Sequence, residues 1–201
     1  MEDLSNLDIL NEYASKTGRI CTSVEKPLPL GVINKVTYHY RSFYMSDNEA
    51  ANSWLVGYSN PNALHQFALF WGVFLPLPLP ADAKAEIRSR NIFDTLNLFR
   101  KKNDYETSFH SFDSNVIIRG GNFSGCEKLL NNTLIQNILL DTLEKDQSMR
   151  IGINKPVCNF VPALAQSSFL SVYTCTRWIM DFEYAEHLFD IMVKIRKTCL
   201  Q

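Results

Sequence analysis

The chain has 201 residues and a mass of 23.1 kDa, with 46% hydrophobic and 20% charged residues. This length and composition are typical of a globular protein that can bury a core without metals or disulfides. Twenty Lys and Arg against 21 Asp and Glu give a formal net charge of -1. That balance excludes a chain-wide basic surface for nucleic acid and a highly charged disordered chain, so we expect no nucleic-acid partner.

The cysteines are five, an odd number, at widely spaced positions and without a CxxC pair. A secreted disulfide scaffold has a dense, even set of cysteines, and a metal cluster has ligand pairs at short spacing. We therefore expect mostly buried, reduced thiols in a cytoplasmic protein. The cysteines are Cys21, Cys126, Cys158, Cys175 and Cys199.

The N-terminal segment 1–8 is acidic and lacks the basic and apolar regions of a signal peptide. The most apolar stretch, 67–79, is shorter than the roughly 20 residues that span a bilayer, and Pro76 and Pro78 interrupt it. We expect it to be a core strand rather than a membrane span. The Pro-Leu-Pro-Leu-Pro run at 76–80 is interpreted as a rigid exit loop rather than a polyproline ligand.

Three strands and a helix are predicted in the first half of the chain. Apolar residues at helical spacing predict an amphipathic helix over 3–16, which Gly18 would end. Alternating residues predict strands over 31–44 and 52–59, and an apolar run predicts a central strand over 64–75. Their short connections predict an antiparallel meander.

The second half is predicted to alternate between helices and strands. Pro80 and Asp82 would begin a helix that runs to about residue 102, and Asp113 and Ser114 would join strands 105–112 and 115–119. Ser124 and Glu127 have the spacing of a capping box, which predicts a helix to about residue 145. Further predictions are a strand over 149–153, an irregular segment over 155–166, a strand over 168–175 and an amphipathic helix over 177–198.

These elements predict an α+β fold: a mainly antiparallel sheet with an N-terminal β-meander, packed by several amphipathic helices, with a long C-terminal helix. We expect a single domain over 1–201, since no long polar linker interrupts it. A β-rich lobe over 19–80 and an α/β lobe over 81–201 is the alternative.

A glycine-rich loop between a predicted strand and a predicted helix is one candidate anion site. Backbone amides at a helix N-terminus bind anions, and this loop contributes Arg119, Gly120, Gly121 and Ser124. Its glycine spacing is similar to that of a phosphate-binding loop, but Cys126 and Glu127 stand where that motif requires Lys and Ser or Thr. A plain tight turn with a capping box is the favoured interpretation.

Cationic residues on one face of the predicted strand 31–44 are a second candidate. Lys35, His39 and Arg41 would lie on the polar face, opposite the tyrosines of the core-facing side. The set could bind a carboxylate or phosphate. A solvated edge-strand face, where charges discourage aggregation, is the favoured interpretation.

We expect no metal, no cofactor and no catalytic residue. None of the four histidines has a second ligand at metal-binding spacing. Glu106, Ser108 and His110 would point side by side from one predicted strand, which cannot assemble a triad. Cys126 alone has a mechanism for activation, because a helix N-terminus would lower the pKa of its thiol. Glu127 is adjacent, however, and a buried packing thiol is the favoured interpretation.

Two functional hypotheses follow. The first is a non-catalytic intracellular binding or adaptor domain that acts through a protein partner or self-association. Its support is the segment 38–44, which places aromatic residues on both strand faces, a composition typical of interfaces. The alternative is a small enzyme or ligand-binding protein with an anion pocket between Arg119–Ser124 and the set Lys35, His39 and Arg41. No motif of a known family is recognised in the chain.

Overall fold

The elements formed by this sequence are seen in a computed structural model, which describes residues 5–28, 38–47, 52–91, 94 and 105–200. Eight strands form one antiparallel sheet, and six helices lie within the described ranges. The strands are β1 (Cys21–Pro27), β2 (His39–Ser46), β3 (Trp54–Ser59), β4 (Leu69–Pro76), β5 (Lys84–Ser89), β6 (Val116–Asn122), β7 (Met149–Ile153) and β8 (Phe169–Thr174). The helices are α1 (Asn6–Thr17), α2 (His110–Asn115), α3 (Glu127–Leu130), α4 (Thr133–Lys145), α5 (Pro162–Ala165) and α6 (Phe182–Cys199). The predicted α+β class, the antiparallel sheet and the long C-terminal helix are confirmed.

The strand order is β1-β2-β3-β4-β8-β7-β5-β6, and every neighbouring pair is antiparallel. The first four strands follow one another in space as in the chain, which confirms the N-terminal meander. The sequence predicts no strand at β1, because the side chains of this strand are mostly exposed and its apolar residues do not alternate with polar ones. It forms by pairing with β2, a contact that local periodicity does not report.

One face of the sheet, called the helix face, packs against α1, α4 and α6. Its strand residues include Phe43, Leu55, Trp71 and Ile151, all fully buried. Ser5 caps α1 through a capping box with Asp8, and Gly18 ends the helix at a φ of +70°. That terminus confirms the predicted cap, since the left-handed region favours glycine.

The described residues that pack on the opposite face, called the second face, lie mainly at its centre. The chain between β7 and β8 crosses it there and buries Cys158, Val161 and Leu164 against Phe70 and Phe74. This crossing segment, 154–168, contains α5 and the cis Lys155–Pro156 peptide bond. On the second face of β2 and β3, Tyr40, Tyr44 and Tyr58 remain half-buried.

The predicted helix beginning at Asp82 is wrong over its first part. Residues Lys84–Ser89 form β5, with Ala85 and Ile87 buried on the helix face and Glu86 half-buried on the second face. Pairing with β6 on one side and β7 on the other fixes this period of two. Residues 92, 93 and 95–102 of that prediction lie outside the described residues.

The predicted strand 115–119 is confirmed as part of β6, whereas the predicted strand 105–112 and the predicted helix 124–145 differ from the structure. Residues His110–Asn115 form α2, and only an isolated bridge from Tyr105 to Ile118 remains of the first strand. The capping box at Ser124 is absent, because α3 begins after Cys126 without a side-chain cap. Asn132 interrupts the helix and caps α4, where its side chain accepts from the backbone amides of the first turn.

Two further differences concern orientation and length. On β2 the core side chains are Phe43 and Met45, whereas Tyr40 and Tyr44 are half-buried on the second face. The tyrosines were predicted to face the core, and residues 31–37 of that predicted strand lie outside the described residues. The final helix α6 begins later than predicted, because Asp181 caps it by accepting from the Tyr184 amide.

Of the described helices, none is long and apolar enough to cross a bilayer.

Candidate functional site

An aromatic groove lies on the second face at the β1–β2 end of the sheet. The β1–β2 register places Thr22 beside Tyr44, Val24 beside Ser42 and Lys26 beside Tyr40. The groove has a volume of about 640 Å³, within the range of ligand pockets. Its lining is Thr22, Val24, Lys26, Pro27, Leu28, Tyr40, Ser42, Tyr44 and Phe160.

Phe160 forms the inner wall of the groove and belongs to the crossing segment. Its ring stacks on Tyr58 at a centroid distance of 5.7 Å and lies 6.5 Å from Phe70. Tyr40 meets Tyr58 edge-on at 5.5 Å. These contacts hold the aromatic wall in one orientation, since each ring rests on a strand of the sheet.

A second cavity of about 490 Å³ lies on the other side of Phe160. Val157, which lines this cavity, is 62% exposed. Leu64, next in the chain to the lining residue His65, is 102% exposed. The two cavities share Phe160, so they form one apolar surface with this ring between them. The lining of the second cavity is Tyr58, His65, Phe67, Phe70, Val157, Asn159 and Phe160.

Lys26 is the one charged side chain among the described residues that line the groove. On the helix face of the same two strands, Glu25 accepts a hydrogen bond from Arg41 Nε at 2.7 Å and lies 2.5 Å from His39 Nδ1. Burial alone would raise the pKa of Glu25, but the hydrogen bonds from Arg41 and His39 outweigh it and lower that pKa. The two cations therefore already have a carboxylate partner.

The two halves of the predicted anion pocket are far apart. His39 and Arg41 lie on β2, whereas Arg119, Gly120 and Gly121 lie on β6, six strand positions away. At about 4.8 Å per strand this separation is roughly 29 Å. Lys35 lies outside the described residues. The structure does not bring the two groups into one pocket, and an anion site at either group stays a prediction.

The glycine-rich loop has local structural roles in the fold. A Cβ on Gly120 would lie 2.0 Å from the Lys84 carbonyl oxygen, so the close approach of β5 requires glycine there. The Ser124 amide donates to the Asn122 side chain at 2.9 Å, and Asn122 donates to Asp82 at 2.7 Å. Gly121 has open space around its Cα. The Ser124 amide is therefore engaged within the loop.

Arg119 belongs to a group of paired charges at the β5–β7 end of the second face. It stands opposite Glu86 in the β5–β6 register, and its charge contributes to lowering the pKa of Asp94. Glu86 accepts from Arg150 Nη1 at 3.1 Å and from the Tyr173 hydroxyl at 2.8 Å. Sequence reasoning did not single out Glu86 or Tyr173, because strands distant in the chain bring them together.

The sequence predicts that Glu106, Ser108 and His110 share one strand. In the structure no strand contains them. All three are exposed and line a cavity of about 510 Å³, with His110 at the start of α2. The nearby Asp113 accepts from the amide and the hydroxyl of Thr107. No described contact joins Ser108 to His110 or Glu106, so the structure gives no support for a triad.

The remaining histidines and the thiols differ in part from expectation. His65 was interpreted as a core histidine, but it is exposed and accepts from the Phe67 amide at 3.2 Å. Cys126 is buried, and burial together with the Glu127 and Asp82 charges raises the pKa of its thiol. This agrees with the favoured interpretation of Cys126 as a buried packing thiol and gives no support for its activation. All five cysteines are free thiols, of which Cys126 and Cys158 are buried.

No group of three or more His, Cys, Asp or Glu in the described ranges is placed to hold a metal ion. Comparison of the chain with protein-family models, with curated protein sequences and with solved structures gives no match. We therefore infer function from the geometry of the chain's own residues.

Proposed function

We propose that the protein is a non-catalytic binding module that holds an extended, apolar segment of a partner protein in the aromatic groove. The observation on which this depends is the groove itself: a ring-lined concavity on a sheet face that no described residue covers. Large apolar surfaces left open on a folded protein commonly mark interaction sites.

The composition of the groove favours a protein partner. Tyr40, Tyr44 and Phe160 are aromatic, and aromatic residues are enriched at the centres of protein interfaces. Each tyrosine adds a hydroxyl that can hydrogen-bond the partner while its ring packs against apolar side chains. The floor consists of paired strands, so binding requires little ordering of the module itself.

The shape of the groove favours an extended segment. Thr22, Val24 and Lys26 follow one another along β1 at every second residue. This repeat, about 6.8 Å, equals the spacing of same-face side chains in an extended chain. A segment lying along the groove would therefore place alternate side chains against successive groove residues.

The charge of the groove defines one end of the partner segment. Lys26 contributes a positive charge at the end nearest Tyr40, and the other described lining residues are uncharged. An acidic side chain at the corresponding end of the segment would pair with it. Such a pair at the rim affects orientation and association rate more than affinity.

The test is selection of random linear peptides displayed on phage against the full chain, followed by binding of the enriched peptides to variants. We expect enriched sequences with apolar residues at every second position and an acidic residue at one end. Tyr40→Ser and Tyr44→Ser should each weaken binding by about tenfold, the loss of a moderate interface contact.

Leu134→Ser is the matched control, because Leu134 is an exposed apolar residue, at 62%, on α4 rather than in the groove. It should leave binding unchanged. Peptides that bind wild type, Tyr44→Ser and Leu134→Ser equally well would contradict the proposed function, and so would a selection that enriches no sequence.

A further inference from the structure

Alternate residues of β1 point their backbone N–H and C=O groups away from β2, toward the outer side of the sheet. The Leu28 amide donates to the Tyr38 carbonyl oxygen at 2.8 Å, at the end of the β1–β2 ladder. In an antiparallel pair, residues that exchange hydrogen bonds alternate with residues whose amides and carbonyls point away. The even-numbered residues of β1 therefore bond to β2, and the odd-numbered residues point their backbone groups outward.

The outward row consists of Cys21, Ser23, Glu25 and Pro27. Pro27 has no N–H to offer, and a proline in a sheet is tolerated where its nitrogen faces the open edge. No described residue bonds to the outward amides of the other three. An extended strand is the structure that satisfies such a row of alternating donors and acceptors.

Two exposed apolar side chains flank one half of this row, which also contains Thr22 and Ser23. Ile20, just before β1, is 81% exposed, and Val24 is 38% exposed. Glu25, Lys26 and Pro27, the residue types that protect an edge from pairing, occupy the other half. The protected half limits the length of an added strand, and the half from Ile20 to Val24 remains available.

The opposite edge of the sheet is occupied. The Tyr105 amide donates to the Ile118 carbonyl oxygen on the outer side of β6 at 2.9 Å. Pairing of β1 with β6 of another copy would give an open-ended chain of molecules, and Tyr105 blocks it. Pairing of β1 with β1 is isologous and closes at two copies.

From these four observations we infer that two copies of the chain associate through antiparallel pairing of their β1 strands, with Ser23 of one copy opposite Ser23 of the other. Cys21 then faces Glu25 of the second copy, and the three outward pairs make about six backbone hydrogen bonds. Thr22 faces Val24 on the second face, a pair of β-branched residues that pack well across strands.

Other registers are less favourable. Centring the pairing on Val24 brings the ring of Pro27 against Cys21, where it has no N–H to donate. Centring it on Glu25 places two carboxylates opposite each other. The Ser23 register joins the aromatic grooves of the two copies into one continuous surface. The inference does not rest on the proposed function, since a groove on a monomer could bind its segment equally well.

Sedimentation of the full chain over a concentration series tests the inference. We expect a monomer–dimer equilibrium for wild type and only monomer for Ser23→Pro, which removes an outward N–H. Thr22→Pro is the control for which residues of β1 point outward. The Thr22 N–H bonds to β2, so this variant should lower the unfolding temperature more than Ser23→Pro does. Tyr44→Ser should leave the dimer intact, which separates this test from that of the groove.

Disulfide trapping tests the register without a proline. In a Cys21→Ser, Cys199→Ser background, Ser23→Cys should oxidise to a linked dimer about tenfold faster than Lys16→Cys, an exposed position on α1, because pairing raises the effective thiol concentration. Cα atoms of paired residues are within disulfide range.

Three results would overturn the inference: wild type that stays monomeric, a dimer that survives Ser23→Pro, or equal oxidation rates for Ser23→Cys and Lys16→Cys. If wild type is monomeric and a selected peptide loses its binding in Ser23→Pro, the strand that β1 accepts belongs to another protein.

Discussion

At the β1–β2 end of the second face the accessible side chains are mainly aromatic and aliphatic, with Lys26 the one charged residue of the groove. At the β5–β7 end several side chains are ionised and paired with one another. Glu86 accepts from Arg150 and Tyr173, and Asp94 accepts two hydrogen bonds from Arg88. These charges already have partners within the chain. The groove offers ring faces that no described residue covers, so its end of the sheet has the greater unused capacity for binding.

The two edge strands of the sheet also differ in how many of their outward backbone groups are paired. The edge strand β6 is paired at its middle with Tyr105, whereas no described residue bonds to the outward amides of β1. Both candidate interaction surfaces, the groove and the β1 edge, therefore lie at the same end of the sheet. The following predictions test that division, in order of decreasing effect.

The largest effect is expected from two neighbouring aromatic residues on β2 that face opposite sides. Phe43 is fully buried on the helix face, against Trp178 at 5.1 Å, so Phe43→Ala should cost about 3–5 kcal/mol of unfolding free energy. Tyr44 is half-buried in the groove, and Tyr44→Ala should cost about 1 kcal/mol. Chemical denaturation measures both. Equal costs would contradict the assignment of Tyr44 to an open surface.

The second largest effect is expected from an anchor just before β1, the ion pair of Arg19 with Glu186. The Arg19 side chain is 3% exposed, and both its terminal nitrogens donate to Glu186 on α6. Glu186→Ala leaves a buried guanidinium without its carboxylate and should cost about 3 kcal/mol. The control Glu12→Ala removes an exposed pair with Lys16 and should cost less than about 0.5 kcal/mol. Denaturation curves that do not distinguish the two variants would show that the anchor contributes nothing to stability.

Acid sensitivity should come mainly from the charged end. Hydrogen bonds from Arg88 lower the pKa of Asp94 from 3.8 to about 2. A lowered folded-state pKa gives stability that is complete above about pH 4 and is lost as the pH falls toward 2, in total about 2 kcal/mol. Asp94→Asn should flatten the dependence of unfolding free energy on pH over this range. An unchanged slope would mean that the pair does not persist in solution.

The smallest effect is expected from the carboxylate on the helix face of β1. The Glu25 side chain is 30% exposed and holds His39 and Arg41, so Glu25→Gln should cost less than about 1 kcal/mol. Its lowered pKa makes the contribution present above its ordinary range and lost in acid. Thermal unfolding at low and high salt should show the difference from wild type shrinking with salt. A salt-independent difference would indicate a packing role instead.

Elements with strong local signals were predictable. The α1 helix has its capping box and its C-terminal glycine, and α6 has an apolar stripe over several turns. Strands β3, β4, β7 and β8 have apolar runs or alternation, and each lies close to its predicted range. Caps and periodicity act within a few residues, so a single sequence reports them.

The candidate site was predictable only in part. The segment 38–44 was recognised as aromatic and interface-like, but which of its rings face the core depends on the register of β2 with β3 and on the helices packed over it. Phe160, the wall of the groove, had no local signal, because it reaches β2 through a crossing segment more than a hundred residues away in sequence. The separation of His39 from Arg119 follows from strand order alone.

The sequence by itself determined the α+β class, the meander and the two terminal helices, because each depends on periodicity and caps within one stretch of chain. Tertiary structure decided that Lys84–Ser89 is a strand, that β1 exists and lies at an edge, and that Tyr40 and Tyr44 line a groove. In those cases the deciding interactions are backbone hydrogen bonds and side-chain contacts between distant segments, and such pairing overrides local preference.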